Sequence, residues 1–356
     1  MGIPIEKTAA AGRDNPAGTE GMAFIEFSAP DPDVLTGLFA RLGFTEVARH
    51  RARPLTIWRQ GGIDFIVNAD PEGHARRFAD AHGPSVSAIA FRVKDGPRAF
   101  GRATSLGATA HRGDATLPGL VLDGIGGSLL YLIDAASQQA IDAGFDWEPD
   151  AAPAGAGLVA VDHLTHCVEQ GQMDKWCDFY RDIFGFRDVF YLDAKGTATG
   201  FRTRAMKSPC DGICIPVNEP TEAASQVQEY IDLYKGEGVQ HVALAARDLN
   251  ETLEAVAGRG IGFMNIPASY YDGVDGRLPG HGQDIARLRR NGVLVDGVQD
   301  GAQWKLLLQI FSKPLLGPIF FEFIERRDND GFGEGNAKAL FEAIERDQIA
   351  RGVVQA

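Results

Sequence analysis

The second half of this chain repeats the first, and this repeat constrains the fold more than any other feature of the sequence. The segment LFARLGFTEV (38–47) aligns with FYRDIFGFRDV (179–189), and SVSAIAFRV (85–93) aligns with GVQHVALAA (238–246). Near the end of each half, LYLID (130–134) aligns with FEFIE (321–325). Self-similarity on this scale indicates two tandem domains that share one architecture.

Short β-rich runs and two helical patterns recur in each half in the order strand, helix, three strands. We count four such βαβββ units, two per half. The sequence therefore predicts an α+β fold of two tandem open β-barrel domains, each with a curved sheet around a cavity. A chain of 356 residues also exceeds what one core usually supports.

The expected boundaries follow from the repeat and from local composition. Residues 1–20 are expected to be a flexible N-terminus and residues 21–135 the first barrel. The stretch 136–157 is rich in Ala, Asp and Pro and is typical of a linker. Residues 158–356 are then the second barrel with a C-terminal helix.

Charge and composition exclude several kinds of partner. A formal net charge of −13 argues against nucleic acid, which requires a basic surface. The N-terminal segment lacks the apolar stretch of a signal peptide, and no apolar run approaches membrane-spanning length. The four cysteines have no zinc or redox spacing and are expected to be free thiols. These features predict a cytoplasmic protein with no nucleic-acid or membrane partner.

Three potential metal ligands occur in the second half where the first half has none. The aligned positions are His163 against Phe24, His241 against Ala88, and Glu322 against Tyr131. Two imidazoles and one carboxylate form the facial triad of oxygen-activating iron(II) enzymes, which leaves coordination positions open. A carboxylate buried between two phenylalanines also requires a cation. We therefore expect one Fe(2+) per chain, in the second domain only.

The first ligand has an alternative in His166, because VDHLTH (161–166) contains two histidines. Residues three apart on a strand point to opposite faces, so only one of them faces the cavity. The repeat leaves this choice open, since Phe24 and Phe27 are both apolar.

Four long segments carry a family resemblance: VDHLTH (161–166), GEGVQHVAL (236–244), LLLQIFSKPLLGPIFFEFIER (306–326) and GFGEGNAKALFEAIERDQ (331–348). From about residue 21 to residue 352 the chain resembles bacterial 4-hydroxyphenylpyruvate dioxygenases, of the glyoxalase-like vicinal-oxygen-chelate superfamily. The resemblance implies that iron is bound by the first histidine of DHLTH, the histidine of QH and the glutamate of FFEFI. These are His163, His241 and Glu322.

The resemblance also implies a substrate pocket, an activity and an assembly. The implied activity converts 4-hydroxyphenylpyruvate and O2 to homogentisate and CO2 in tyrosine and phenylalanine catabolism, by a homo-oligomer (dimer or tetramer). Gln240 precedes a metal ligand on a strand, so a role in the pocket requires a local twist. The implied pocket residues are Thr203, Asn218, Gln226, Gln240, Gln309, Phe311, Phe320 and Phe332.

A C-terminal lid helix is expected at about 336–350, where Ala337 and Phe341 share one face. The family has phenylalanine at the position of Ala337 and serine at that of Thr203. The loss of the aromatic side chain at 337 predicts a more open pocket. Gly331, Gly333 and Gly335 precede the helix and suit a hinge.

Three other functions fit part of the pattern. 4-Hydroxymandelate synthase has the same fold, metal and substrate but hydroxylates the benzylic carbon. An extradiol catechol dioxygenase uses the same triad without a 2-oxo acid. A metal-dependent binding or resistance protein of this fold would hold a ligand without turnover.

Overall fold

The computed structural model describes residues 14–149, 151, 155–195, 200–223, 225–336 and 338. These residues form two eight-stranded sheets, one in each half of the chain. No helix among them combines the length and the apolarity that a membrane span requires.

The first sheet has the strand order β6-β7-β5-β1-β4-β3-β2-β8. Its strands are β1 (Thr19–Ser28), β2 (Thr45–His50), β3 (Leu55–Gln60), β4 (Ile63–Asn68), β5 (Ser85–Val93), β6 (Leu120–Asp123), β7 (Leu129–Ile133) and β8 (Phe145–Trp147). Its helices are α1 (Asp33–Arg41), α2 (Gly73–His82), α3 (Gly96–Ser105) and α4 (Ala135–Ala143).

The second sheet has the order β10-β11-β12-β9-β13-β16-β15-β14. Its strands are β9 (Leu158–Cys167), β10 (Arg187–Lys195), β11 (Gly200–Lys207), β12 (Cys214–Pro220), β13 (Gly238–Ala246), β14 (Leu294–Asp300), β15 (Gln303–Phe311) and β16 (Phe320–Arg327). Its helices are α5 (Met173–Asp178), continued by a π-helical turn, α6 (Gln226–Tyr234), α7 (Leu249–Val256), α8 (Ala268–Asp272), α9 (Val274–Arg277) and α10 (Ile285–Asn291).

The two halves agree in strand register as well as in strand order. In each sheet two antiparallel central strands are flanked by parallel partners, β4 and β7 in the first and β12 and β16 in the second. The positions aligned in the sequence therefore occupy equivalent places. The matched pairs are His163–Ala243 with Phe24–Ala90, His241–Thr165 with Ala88–Glu26, and Glu322–Ala243 with Tyr131–Ala90.

The alternation of side chains along the strands separates two cores. Ile25 and Phe27 of β1 belong to a large apolar cluster that includes α1 and continues into the second half. The two halves meet within it, because the ring of Phe65 in β4 lies 6.5 Å from that of Phe321 in β16. Phe24, on the opposite face of β1, belongs to a separate cluster confined to the first half. This second cluster lies on the face of the first sheet that corresponds to the face of the second sheet carrying His163 and Glu322.

Much of the expected linker at 136–157 is folded. The side chain of Asp134 caps α4 by accepting a hydrogen bond from the Ser137 amide at 2.8 Å, and Trp147 of β8 pairs with Ala48 of β2. The alanines that suggested a linker are strong helix formers, and the short strand extends the edge of the first sheet. The first strand also begins at Thr19, within the expected flexible N-terminus.

The expected βαβββ pattern is reduced in the second unit. Its first strand after α3 is a single bridge between Ala110 and Leu122. The fourth unit instead has the additional helices α8, α9 and α10 between α7 and β14.

Candidate metal centre

His163, His241 and Glu322 lie on three adjacent strands, β9, β13 and β16, and their side chains converge. The Oε2 atom of Glu322 lies 3.2 Å from Nε2 of His163 and 3.6 Å from Nε2 of His241. All three residues are at most 9% exposed. Among the described residues this is the only cluster of three or more His, Cys, Asp or Glu side chains whose geometry suits a metal ion.

The spacing fits one face of an octahedral metal site. With metal–ligand bonds of about 2.1 Å, neighbouring octahedral ligands are about 3 Å apart. The distance from Glu322 to His163, 3.2 Å, is close to that value, and the distance to His241, 3.6 Å, is somewhat longer. The remaining face would stay open for substrate and dioxygen, as in the facial triad.

Hydrogen bonds at Nδ1 fix the orientation of both imidazoles. His163 Nδ1 donates to Oδ1 of Asp162 at 2.8 Å, and His241 Nδ1 donates to Oε1 of Gln240 at 3.3 Å. Each ring therefore presents Nε2 to Glu322, and a fixed tautomer of this kind is usual for histidines that bind metals.

The charges around the triad favour a cation. Burial lowers the pKa of His163, but the Glu322 charge and the Asp162 hydrogen bond outweigh that effect and raise it to about 9. Burial and the neighbouring His163 lower the pKa of His241 well below its ordinary value. Burial would raise the pKa of Asp162, yet hydrogen bonds with His163 and Arg326 hold it below its ordinary range. The two carboxylates therefore stabilise positive charge on the His163 imidazole.

His166 lies on the other face of β9, away from the triad. Its Nδ1 atom is 3.3 Å from the Tyr180 hydroxyl, and complete burial lowers its pKa to about 3. The structure thus resolves the choice that the sequence left open, and His163 is the histidine placed beside His241 and Glu322.

Aromatic and apolar side chains stand at the three ligand positions of the first half. The rings of Phe24 and Tyr131 are 5.6 Å apart, and Ala88 is fully buried beside them in the same cluster. The space that would hold a metal ion is therefore filled by aromatic side chains.

Three of the expected aromatic pocket residues lie next to the triad. The Phe320 ring is stacked on His241 at 4.6 Å, and the Phe311 ring is 6.2 Å from that of Phe320. The Phe332 ring lies 5.8 Å from that of His163 and is stacked on Phe190 at 5.1 Å. Together these rings form apolar walls around the triad.

Gln240 lies at a β-bulge, the kind of local twist that a role in the pocket would require. The pairing of β13 with β9 skips from Val239 to His241, so Gln240 is the extra residue. A bulge redirects the side chain at its site. Both Gln240 and His241 are thereby turned so that their side chains meet.

The other polar pocket residues are placed differently from one another. Thr203 and Asn218 are cross-strand neighbours, and the threonine hydroxyl donates to Oδ1 of Asn218 at 2.6 Å. Gln309 is 5% exposed, and its Oε1 has no hydrogen-bond partner among the described residues. Gln226 is exposed at the first position of α6, a helix that packs against β9, β12 and β13. Ala337 and Phe341 lie outside the described residues, as does the expected lid helix beyond Asn336 and Lys338.

Sequence reasoning missed Asp162, Phe190 and Arg326. Asp162 directly precedes a ligand, and Arg326 follows Glu322 by four residues, an even spacing that places both on one face of β16. Those spacings could have marked Asp162 and Arg326 in the sequence. No sequence feature marks Phe190, because its contact with Phe332 joins segments 142 residues apart.

Fold and site together define the class: paired βαβββ units around a two-histidine, one-glutamate centre are the arrangement of vicinal-oxygen-chelate metalloenzymes. Family models agree, since residues 13–148 match "Hydroxyphenylpyruvate dioxygenase, HPPD, N-terminal" and residues 160–274 match the "Glyoxalase/Bleomycin resistance protein/Dioxygenase superfamily". The chain is 46% identical to 4-hydroxyphenylpyruvate dioxygenase of Pseudomonas aeruginosa, over 96% of this chain and 97% of that protein. The chain belongs to the 4-hydroxyphenylpyruvate dioxygenase family.

Two further relatives carry other names. Hemolysin VllY of Vibrio vulnificus is 46% identical over 96% of this chain and 98% of its own length. A solved structure of a mutant 4-hydroxymandelate synthase from Streptomyces coelicolor superposes with a TM-score of 0.79 at 25% identity, over 93% of this chain and 99% of that chain.

Proposed function

We propose that this chain is an iron(II) enzyme that converts 4-hydroxyphenylpyruvate and O2 to homogentisate and CO2. The observation that carries the proposal is the convergence of His163, His241 and Glu322 in a chain that is 46% identical, over nearly its full length, to a curated 4-hydroxyphenylpyruvate dioxygenase. One oxygen atom ends in the new carboxylate and the other in the ring hydroxyl, so both atoms of O2 are consumed.

The three side chains of the triad would hold one Fe(2+) per chain, in the C-terminal domain at 158–356. When bound there, iron(II) supplies the chelation of the 2-oxo acid and the activation of dioxygen. The chain itself keeps both Nε2 atoms turned inward, because Asp162 and Gln240 accept the Nδ1 protons.

The pocket residues orient the substrate ring. Phe320 and Phe332 provide aromatic surfaces next to the two ligand histidines. Because Oδ1 of Asn218 accepts from Thr203, the Asn218 amide N–H groups are left to donate to a substrate oxygen. Gln309, Gln240 and Gln226 are the remaining polar partners that we assign to the phenol hydroxyl and the carboxylate. Thr203 retains the hydroxyl of the family serine.

The C-terminal helix at 336–350 is assigned the role of a lid that excludes water during oxidation. Ala337 and Phe341 would face the pocket from it. We further propose a cytoplasmic homo-oligomer, dimer or tetramer, whose partners are the small substrate and O2.

A second candidate is 4-hydroxymandelate synthase, which the structural similarity to the Streptomyces coelicolor protein favours. That enzyme would hydroxylate the benzylic carbon and leave the side chain in place. The higher identity to the dioxygenases, 46% against 25%, supports ring hydroxylation.

Chromatography of the products made under air tests the proposal. The chain is loaded with iron(II), 4-hydroxyphenylpyruvate is added, and oxygen uptake is followed in parallel. We expect homogentisate. 4-Hydroxymandelate as the main product would establish the second candidate, and substrate binding without oxygen uptake would exclude both enzymes.

A further inference from the structure

A partly buried ion pair lies directly behind the metal centre. Arg326 donates from Nε to Oδ2 of Asp162 at 2.7 Å and from a second nitrogen to Oδ1 at 2.9 Å. The same Oδ1 atom accepts the Nδ1 proton of His163. The carboxylate of Asp162 therefore holds an arginine and a ligand imidazole in fixed positions relative to each other.

The position of Asp162 depends on a β-bulge. The pairing of β9 with β13 skips from Val161 to His163, so Asp162 is the extra residue and its side chain reaches that of its neighbour. Arg326 extends from β16, on the far side of β13. The pair thus connects the two strands that carry His163 and Glu322 across the strand between them.

Arg326 also fixes the turn that follows β16. Its remaining guanidinium nitrogen donates to the carbonyl oxygens of Asn329 at 2.9 Å and Gly331 at 2.7 Å. The guanidinium carbon lies 5.7 Å from the centre of the Phe332 ring, which in turn lies 5.8 Å from the ring of His163. Arg326 therefore contacts both Asp162, which holds the ligand His163, and the turn that precedes the expected lid helix.

The first half of the chain offers an internal comparison. Ala23 is the bulge residue in the pairing of β1 with β5 and corresponds to Asp162. The residue that aligns with Arg326 in sequence is Ala135, which lies beyond the end of β7 at the start of α4. The ion pair therefore occurs in the half that has the triad, whereas the half with aromatic side chains there has alanine at both aligned sequence positions.

We propose that Asp162 and Arg326 are positioning residues that couple the orientation of His163 to the placement of the turn 329–332. The pair holds Nε2 of His163 towards the metal position and Phe332 against the same imidazole, so that one element sets both. This inference rests on the proposed function only for the purpose that the positioning serves. The effects of the ion pair on metal affinity and on the turn 329–332 do not depend on that function.

The test uses the full chain, freed of metal and titrated with Co(II), whose visible absorption reports binding without substrate. Asp162→Asn keeps the shape of the side chain but removes its charge, and loss of such an outer partner typically costs about 10- to 100-fold in metal affinity. We expect a weakening of Co(II) binding in that range. Arg326→Lys keeps the charge but loses the planar fork. We expect this variant to bind Co(II) more weakly and to show faster amide hydrogen exchange at 329–332.

Asp64→Asn is the matched control, because Asp64 accepts two hydrogen bonds from Arg59, at 2.6 and 2.8 Å, in the first half. It should leave Co(II) affinity and exchange at 329–332 unchanged. Folded Asp162→Asn and Arg326→Lys variants with wild-type Co(II) affinity would overturn the positioning role. Weaker Co(II) binding by Arg326→Lys with unchanged exchange would overturn the coupling. Because Co(II) affinity does not depend on substrate, a wild-type chain that forms no homogentisate would refute the proposed function alone.

Discussion

The buried carboxyl of Glu26 in the first half should make the free energy of unfolding fall as pH rises. Glu26 is 1% exposed, accepts a hydrogen bond from Ser87 Oγ at 2.9 Å, and has a second oxygen with no hydrogen-bond partner among the described residues. Burial raises its pKa from 4.5 to about 7, against the opposing effect of hydrogen bonds from Ser87 and Asn68. The folded chain therefore holds this carboxyl protonated where the unfolded chain ionises it.

The sign follows from proton binding. Below pH 4.5 the carboxyl is protonated in both states and contributes no pH dependence. Between pH 4.5 and about 7 only the unfolded state loses the proton, so the free energy of unfolding falls as pH rises. Above pH 7 the loss is complete and amounts to about 3 kcal/mol, at about 1.4 kcal/mol per pH unit.

Glu26→Gln removes the titration and nearly preserves the shape. We expect urea denaturation to show a variant that gains stability over the wild type as pH rises from 5 to 8, by about 2 to 3 kcal/mol at the upper end. Glu148→Gln, at an exposed position in the same half, controls for the loss of a negative charge. If the stability difference between Glu26→Gln and wild type is the same at pH 5 and pH 8, Glu26 does not have the raised pKa described above.

Three further predictions concern the site. Glu322→Gln should lose most bound iron and turnover, since a neutral amide is a weaker ligand. His166→Ala should retain iron while losing stability through a buried cavity. Metal analysis showing the reverse would move the first ligand to His166. Gly333→Ala should lower kcat/KM by about tenfold or more, because a Cβ there, at φ +75°, would lie 2.4 Å from Oε1 of the pocket glutamine on β15. Gly301→Ala, also at positive φ but in open space, should leave the steady-state kinetics unchanged. Ala337→Phe should tighten substrate binding by about 1 kcal/mol of ring stacking and reduce uncoupled oxygen consumption; a fall in kcat/KM with unchanged coupling would show that another side chain already closes the pocket.

The positions of the triad could be read from the sequence because the chain contains its own comparison. Strand register has a period of two, so aligned halves place equivalent side chains on equivalent faces. Phe24 and Tyr131 thus marked where His163 and Glu322 had to lie. The choice between His163 and His166 required the sheet itself, because both positions are apolar in the first half.

Contacts that depend on irregular backbone could not be predicted. Asp162 reaches Arg326, 164 residues away, because a bulge turns it towards its neighbour. The placement of Gln240 depends on a second bulge, which no sequence pattern located. Helix α4 and strand β8 were missed because Ala-, Asp- and Pro-rich composition does not distinguish a linker from a capped helix at a sheet edge.

An experiment with labelled oxygen tests directly whether the chain converts 4-hydroxyphenylpyruvate and O2 to homogentisate. The iron-loaded chain is given 4-hydroxyphenylpyruvate under oxygen-18, and the products are analysed by mass spectrometry together with oxygen uptake and iron content. We expect one iron per chain, one O2 consumed per homogentisate formed, and one labelled atom in each of the ring hydroxyl and the carboxylate. Labelled 4-hydroxymandelate, or homogentisate formed without label from O2, would contradict it.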